Sequence, residues 1–290
     1  MTTTHDRTVP LDSDSRSESD EGVSGPTPRS AGARIAVVLG VGFAVVAVAY
    51  GVLTLVALLT FRSGTTTSAL PVPGGAVPRY VVDVAGEVRV EVAPPGTPPR
   101  MEVRRRWSWR APEVRTSTGD SSTGETVRIA GSCGFSGPLP CSADVRLFVP
   151  AAADLQVHSS QGGVRVSGVR GQLQLSSDAG GVRAVDVAGP RLSMRSSAGG
   201  VRAERAAVSV VDASSSAGGV RLDLTVEPQS VVARSSAGSV RLAVPRGPAT
   251  YRATADSSAG SRTVDVRTDP SSPRNLAVRS SAGAVTITYR

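Results

Sequence analysis

The chain has 290 residues, 40% of them hydrophobic but only 3% aromatic, which excludes a thick core built on large rings and favours a thin core of Val, Leu and Ala repeated along an axis. Charge is uneven: residues 1–62 hold five Arg and six acidic residues, the rest 27 Arg and 18 acidic residues, with no Lys anywhere. Such an Arg-only cation set reads as base-composition bias as readily as polyanion recognition, so basicity assigns no nucleic-acid partner, and two Cys with two His argue against a tetrahedral zinc site.

Residues 1–33 are rich in Ser, Thr, Asp, Glu, Pro and Gly and too poor in apolar side chains to offset ordering entropy, so they read as a disordered cytoplasmic tail. A transmembrane helix is expected over 34–62, because Ile35 to Phe61 is a run of 27 uncharged, mostly apolar residues, about 40 Å of helix against a hydrocarbon core of about 30 Å. A cleaved signal peptide is the competing reading, with TTTSAL at 65–70 as the cleavage region, but the apolar run exceeds the length of a signal core. Arg29 and Arg34 against Arg62 and Arg79 leave the positive-inside count nearly tied. A single internal anchor ahead of a long domain, and two Cys in that domain, favour an inside N-terminus and an exported C-terminal part.

A Thr/Pro/Gly linker is read over 63–78 and a β cap region over 79–150. Within the cap, Val88, Val90 and Val92 alternate with Arg89 and Glu91, the period-2 signal of a strand with one buried face. Cys133 and Cys141 flank a Gly/Pro-rich loop and suit a disulfide in an oxidising compartment; two free thiols are the alternative. In RRRWSWR, strand alternation places Trp107 and Trp109 with Arg105, and Arg104, Arg106 and Arg110 opposite. Both Trp packing under the cap competes with docking at a membrane surface or a sugar.

Solenoid repeats are expected over 151–290, where one phrase recurs: SSQGGVR, SSDAGGVR, SSAGGVR twice, SSAGSVR, then the looser SSAGSRTV and SSAGAVT. Aligned on Val164, Val182, Val201, Val220, Val240, Arg262 and Val285, the steps are 18, 19, 19, 20, 22 and 23 residues. Each copy reads as strand, turn, strand, with LQV (155–157), LQL (173–175), LSM (192–194), VSV (208–210), VVA (231–233), YRA (251–253) and LAV (276–278) before the turn. The motif Val and the residue two further on point inward after it, except at Arg262 and Val264. Coils of this length predict an all-β fold, a right-handed β-solenoid whose turns stack in sequence order at about 4.8 Å.

In that register Arg165, Arg183, Arg202, Arg221 and Arg241 form one outward row, and His158, Arg195, Arg234 and Arg279 a second, broken one. The first row is either an anion-binding strip, using bidentate guanidinium geometry, or a solvated face of splayed side chains. Catalytic, metal and cofactor sites are not read. The acids Asp178, Asp186, Asp212, Asp223, Asp256 and Asp265 do not recur at one repeat position, and His158 is the one His after the apolar run. The repeated Gly pair lies between strands, without the order of a nucleotide-binding loop.

The strand VRLFVP (145–150), the segment DLQVHSSQGGVRV (154–166), the recurrent S-[SA]-G-[GS]-V units, and the WSW and Cys-flanked insert before them resemble a bacterial adhesin-like family of domains of unknown function, over residues 79–290. That resemblance implies a β-solenoid and a surface location, and no established activity. The leading expectation is therefore a non-enzymatic, single-pass membrane protein of the cell envelope that contacts an anionic wall polymer or another envelope protein. The alternatives are an envelope-stress sensor signalling through the tail at 1–33, and a polysaccharide-active enzyme.

Overall fold

The computed structural model describes residues 31–59, 62–71, 77–108, 110–121, 124–133 and 141–290, with the backbone alone at 31–39, 57–59, 120–121 and 124. The disordered tail expected at 1–33 thus lies, as far as residue 30, outside the described residues, and so does Trp109. The chain divides into two units, residues 1–52 and 53–290.

The apolar run forms helix α1 (Ala31–Leu59). Its described side chains face outward almost throughout, Phe43 at 79% exposure among them. Among the described residues no helix is long and apolar enough to cross a membrane; the side chains of α1 are described only over 40–56, short of the roughly 20 residues a bilayer core requires.

From residue 79 onward the chain winds as a β-solenoid in which each coil gives one strand to each of two sheets. The strands ahead of the repeated phrase form the first sheet: β2 (Arg79–Val84), β6 (Gly124–Ser132), β8 (Asp154–Ser159), β10 (Leu173–Ser177), β12 (Ala188–Ser196), the end of β13 (Val201–Ser215), β15 (Ser230–Ala237), β17 (Arg252–Ala259) and β19 (Asn275–Ala282). Those after it form the second: β3 (Val88–Val92), β7 (Cys141–Val149), β9 (Val164–Ser167), β11 (Val182–Val185), the start of β13, β14 (Val220–Leu224), β16 (Val240–Val244), β18 (Arg262–Asp265) and β20 (Val285–Tyr289). All neighbours among these pair in parallel, and in register apart from a shift between Ala203 and Ala206 where β13 meets β14. Val164/Val166, Val182/Ala184, Val201/Ala203, Val220/Leu222, Val240/Leu242 and Val285/Ile287 fill the core between the sheets, as alternation requires.

Several expectations are corrected. The coils do not stack in sequence order at either end. The β2–β3 coil lies between β6–β7 and β8–β9, and the β19–β20 coil lies between β15–β16 and β17–β18. The outermost positions go to coils tethered by chain on both sides, and the coils nearest the ends of the solenoid's chain gain a ladder on each edge. The strand pairs β2–β3 and β6–β7 accordingly belong to coils of the solenoid rather than to a cap.

The antiparallel strands β1 (Arg62–Ala69), β4 (Arg100–Trp107) and β5 (Glu113–Ser121) cover the edges at that end. β1 occupies the first part of the supposed linker 63–78; its Thr-rich, alternation-free sequence suits a strand exposed on both faces. Tyr251 and Ala253 face inward as read, and Val208 is buried too, but Val210 is only half-buried; the pairs that stack on Leu192/Met194 and Leu276/Val278 are Val211/Ala213 and Ala253/Ala255.

The break at Arg262 also has a reason. β17–β18 is the last coil in space, and β18 is exposed along its whole length. A charge at an inward position of an edge strand blocks further pairing. Cys133 and Cys141 form a disulfide with Cα atoms 6.0 Å apart, closing the loop between β6 and β7. The corner opposite the phrase turns through left-handed residues, Gly168 (φ 76°), Asp186 (φ 53°) and Arg205 (φ 50°). There the Arg205 guanidinium beside Asp186 holds its carboxyl below the usual carboxylate range.

Candidate anion-binding groove

The repeated phrase builds a corner in which each residue has a separate task. The Ser at its head is buried, at 0 to 5% exposure in Ser159, Ser177, Ser196, Ser215, Ser235 and Ser280. Each of these hydroxyls donates to the first-Gly carbonyl of the adjoining coil, at 2.7–2.9 Å: Ser159 to Gly86, Ser177 to Gly162, Ser196 to Gly180, Ser215 to Gly199, Ser235 to Gly218 and Ser280 to Gly238. A row of otherwise orphaned carbonyls is thereby satisfied inside the coil.

The first Gly is required by stacking. A Cβ on Gly180, Gly199 or Gly218 would come within 2.6 Å of the backbone of the coil beside it. The second Gly is not so constrained: a Cβ on Gly181 or Gly200 would meet a carbonyl oxygen at 3.1 or 3.3 Å, and the equivalent residues elsewhere are Glu87, Ser239 and Ala284.

After the corner, the predicted Arg row is formed as expected. Arg165, Arg183, Arg202, Arg221 and Arg241 stand opposite one another in successive strands, at the usual spacing of about 4.8 Å. The row is longer than the sequence reading made it, since Arg89 pairs in register with Arg165, and Arg146 with Arg89. Both lie in V-R-[VL] segments, 88–90 and 145–147, that repeat the second half of the phrase and keep only part of its first half, Ala85-Gly86 before one and Ser142-Ala143 before the other. At the other end the row stops, with Thr286 opposite Arg241.

Along the corner runs an open groove of about 560 Å³, floored by Gly163, Gly181, Gly200, Gly219 and Ser239 and walled by the five predicted arginines; Glu87 is its one acidic lining residue. Beyond Glu87 a second hollow of about 350 Å³ has a balanced lining, with Arg89, Arg104 and Arg146 against Glu87, Glu102 and Asp144. Positive potential is therefore concentrated between Arg165 and Arg241. Glu204 holds Arg183 at 2.7 Å and Arg202 at 3.8 Å, whereas Arg165, Arg221 and Arg241 have no ion-pair partner among the described residues.

The second row is interrupted by register. Ser176 separates His158 from Arg195, Ser214 separates Arg195 from Arg234, and Arg279 is 3.1 Å from Asp256. His158 does meet a Ser and an Asp, with Nδ1 3.0 Å from Ser176 Oγ and Nε2 3.5 Å from Asp178 Oδ2. The Ser176 hydroxyl donates to the Val157 carbonyl, so it can only accept from the imidazole, and none of the three lines the Arg groove or the hollow beyond Glu87. The trio lacks the geometry of an activated nucleophile. Trp107 is half-buried at the end of β4, its ring over Gly64 of β1.

Residues 139–288, from the Cys-flanked loop through the last copy of the phrase, match the family described as Toastrack DUF4097. The chain belongs to the Toastrack DUF4097 family. This is the adhesin-like family of unknown function that the repeat units resemble, and the match leaves the β2–β3 coil outside its bounds. No curated protein matches the chain.

Among solved structures, a candidate adhesin from Bacteroides fragilis is 10% identical, with a TM-score of 0.44 over 79% of this chain and 97% of that one. A candidate cell adhesion protein from Clostridium sporogenes is 9% identical, with a TM-score of 0.40 over 79% of this chain and 100% of that one. A candidate lipid binding protein from Parabacteroides distasonis is 11% identical, with a TM-score of 0.36 over 78% and 97%. Likenesses at that level say nothing about ligand or role.

Proposed function

We propose that this Toastrack protein is a non-enzymatic binding module of the bacterial cell envelope, anchored by α1 and presenting a right-handed solenoid whose Arg groove holds an anionic wall polymer. The observation that carries the reading is the groove itself, with five arginines and one acid in its lining. Neighbouring guanidinium charges about 4.8 Å apart repel by about 0.9 kcal/mol per pair even at the dielectric of water, and a linear polyanion relieves that repulsion along the whole row. Glu87 alone supplies a carboxylate to the groove, and it is hydrogen-bonded to Arg89, so the paired acids of glycoside hydrolysis are not supported there.

Membrane anchoring is supported by the uncharged run Ile35–Phe61 and by a helix apolar all round, which needs lipid or a protein core around it. An inside N-terminus and an outside solenoid are supported by the disulfide, which persists in oxidising compartments. The test is retention on isolated cell wall of the full chain and of its Arg183→Ser, Arg202→Ser, Arg221→Ser variant. Loss in the variant is expected; equal retention would refute the groove as the binding surface.

A further inference from the structure

The groove offers a second set of donors besides its arginines. Each first-Gly carbonyl is drawn inward by a buried Ser hydroxyl. The peptide bonds are trans, so the N–H of the next residue points the opposite way, out into the groove. Those are the amides of Gly163, Gly181, Gly200, Gly219 and Ser239, for which no acceptor exists among the described residues. Their carbonyls are already used, with Gly181, Gly200, Gly219 and Ser239 each accepting the N–H of the motif Val in the neighbouring coil. The floor therefore presents unpaired donors, whereas each of its carbonyls is already engaged.

One position of this row is filled from within the chain. Asp144 occupies the second-Gly position of the β6–β7 coil, and its Oδ1 accepts the N–H of Glu87, the equivalent residue of the adjoining coil, at 3.1 Å. Asp144 stands in for the carboxylate of a ligand. Where the phrase reads Gly-Gly no side chain exists to do the same.

We propose that the corner is an oxyanion ladder, in which the second-Gly amides and the Arg side chains of the coils from Arg165 to Arg241 together hold the groove-facing carboxylates of an extended acidic glycan lying along the solenoid axis. This rests on the function proposed above and names its ligand class. An acidic peptide fits poorly, because its own N–H groups would face a floor whose carbonyls are already engaged. A glycerol-phosphate chain places several flexible backbone bonds between successive anions and holds no fixed step against the coils, whereas a glycan of rigid rings advances by close to one coil per sugar and, in an extended two-fold chain, turns a carboxylate to the groove at about every second coil. Oxyanion binding by successive outward amides is established chemistry, strengthened here by flanking guanidinium groups.

The test uses the full chain and oligogalacturonates of increasing length, with poly-L-glutamate and a glycerol-phosphate oligomer as comparison arms. Affinity for the galacturonates should rise with length and level off near five to six sugars, as multivalent engagement of the five-Arg stretch fills. The pair Gly181→Asn and Gly200→Asn, whose Oδ1 can take the neighbouring amide as Asp144 does without adding charge, should weaken binding at least ten-fold, and Gly200→Ser, copying Ser239, should not. In the unaltered chain labelled with ¹⁵N-glycine, the amide protons of Gly181, Gly200 and Gly219 should move downfield on saturation while those of Gly180, Gly199 and Gly218 stay.

Unmoved second-Gly amides, or an Asn pair binding like the parent while Arg183→Ser with Arg202→Ser binds weakly, would overturn the ladder and leave the Arg groove standing. Loss in neither set would overturn both. Tighter binding of poly-L-glutamate or the phosphate oligomer would overturn the glycan assignment.

Discussion

Ser196 Oγ donates to the Gly180 carbonyl at 2.8 Å, from one coil to the next, and the same bond recurs between Ser177 and Gly162 and between Ser215 and Gly199. It makes the Ser of the phrase a structural residue rather than a surface one. Ser196→Ala strands a buried carbonyl and should cost about 1–3 kcal/mol, read as a lower midpoint in chemical denaturation. Replacing the exposed neighbour Ser197 by Ala should leave the midpoint within error.

The two glycines of one phrase should respond oppositely. In Gly199→Ala the new Cβ meets the Gly180 backbone at 2.6 Å, where neither coil can give way, and a loss of roughly 1–3 kcal/mol or more is expected. In Gly200→Ala the nearest atom is the Gly219 carbonyl oxygen at 3.3 Å, and the change should stay under about 1 kcal/mol. Thermal unfolding of the two variants side by side checks the ordering, and equal losses would contradict the division of labour in the corner.

Tyr80 on β2 is fully buried with no hydrogen-bond partner for its hydroxyl among the described residues, and burial pushes its pKa from 10.0 up to about 12. A pKa raised by folding means that the folded state holds the phenol proton more tightly. The associated stability is complete below about pH 10 and is lost as pH rises toward 12, by about 2–3 kcal/mol. Burial raises Tyr251 in the same sense. Tyr80→Phe should flatten that alkaline slope while leaving stability at pH 7 within about 1 kcal/mol, since no bond is lost. Urea midpoints between pH 7 and 11.5 decide it; a slope unchanged in the variant would show that Tyr80 does not carry it.

Arg262 stands where other coils carry the motif Val, in the exposed edge strand β18, beside Val264 at 41% exposure. Arg262→Val should turn this end into a sticky edge and produce concentration-dependent association in sedimentation velocity. A variant that sediments like the parent at every concentration would mean that the edge is protected by something else.

The parts of the fold that repeat were legible, and the parts that depend on neighbours were not. The inward pair Val182/Ala184 and the row through Arg183 follow from strand alternation alone. Arg89 and Arg146 were missed because the first half of the phrase survives before them only in part, as Ala85-Gly86 and Ser142-Ala143, although Val88-Arg89-Val90 and Val145-Arg146-Leu147 carry its other half. The exchange of β17–β18 with β19–β20 has no local signature, since either coil presents similar edges to β15–β16; the one hint was the charge at Arg262. Phase was misread at Val210, which is only half-buried although Val208-Ser209-Val210 alternates as well as Val211-Asp212-Ala213 does. Distance from the buried Ser fixes the phase, and that Ser could be assigned only once its bond to the next coil was seen. The amide row was invisible in sequence because glycine declares flexibility, not the direction of its N–H.

Calorimetric titration of the full chain with hexagalacturonate, at low and at physiological salt, tests the Arg groove most directly. The account predicts binding that weakens steeply with salt as counterions are exchanged along the row, and that vanishes in the Arg183→Ser, Arg202→Ser, Arg221→Ser variant. Absence of binding at low salt, or binding that the triple variant retains, would contradict it.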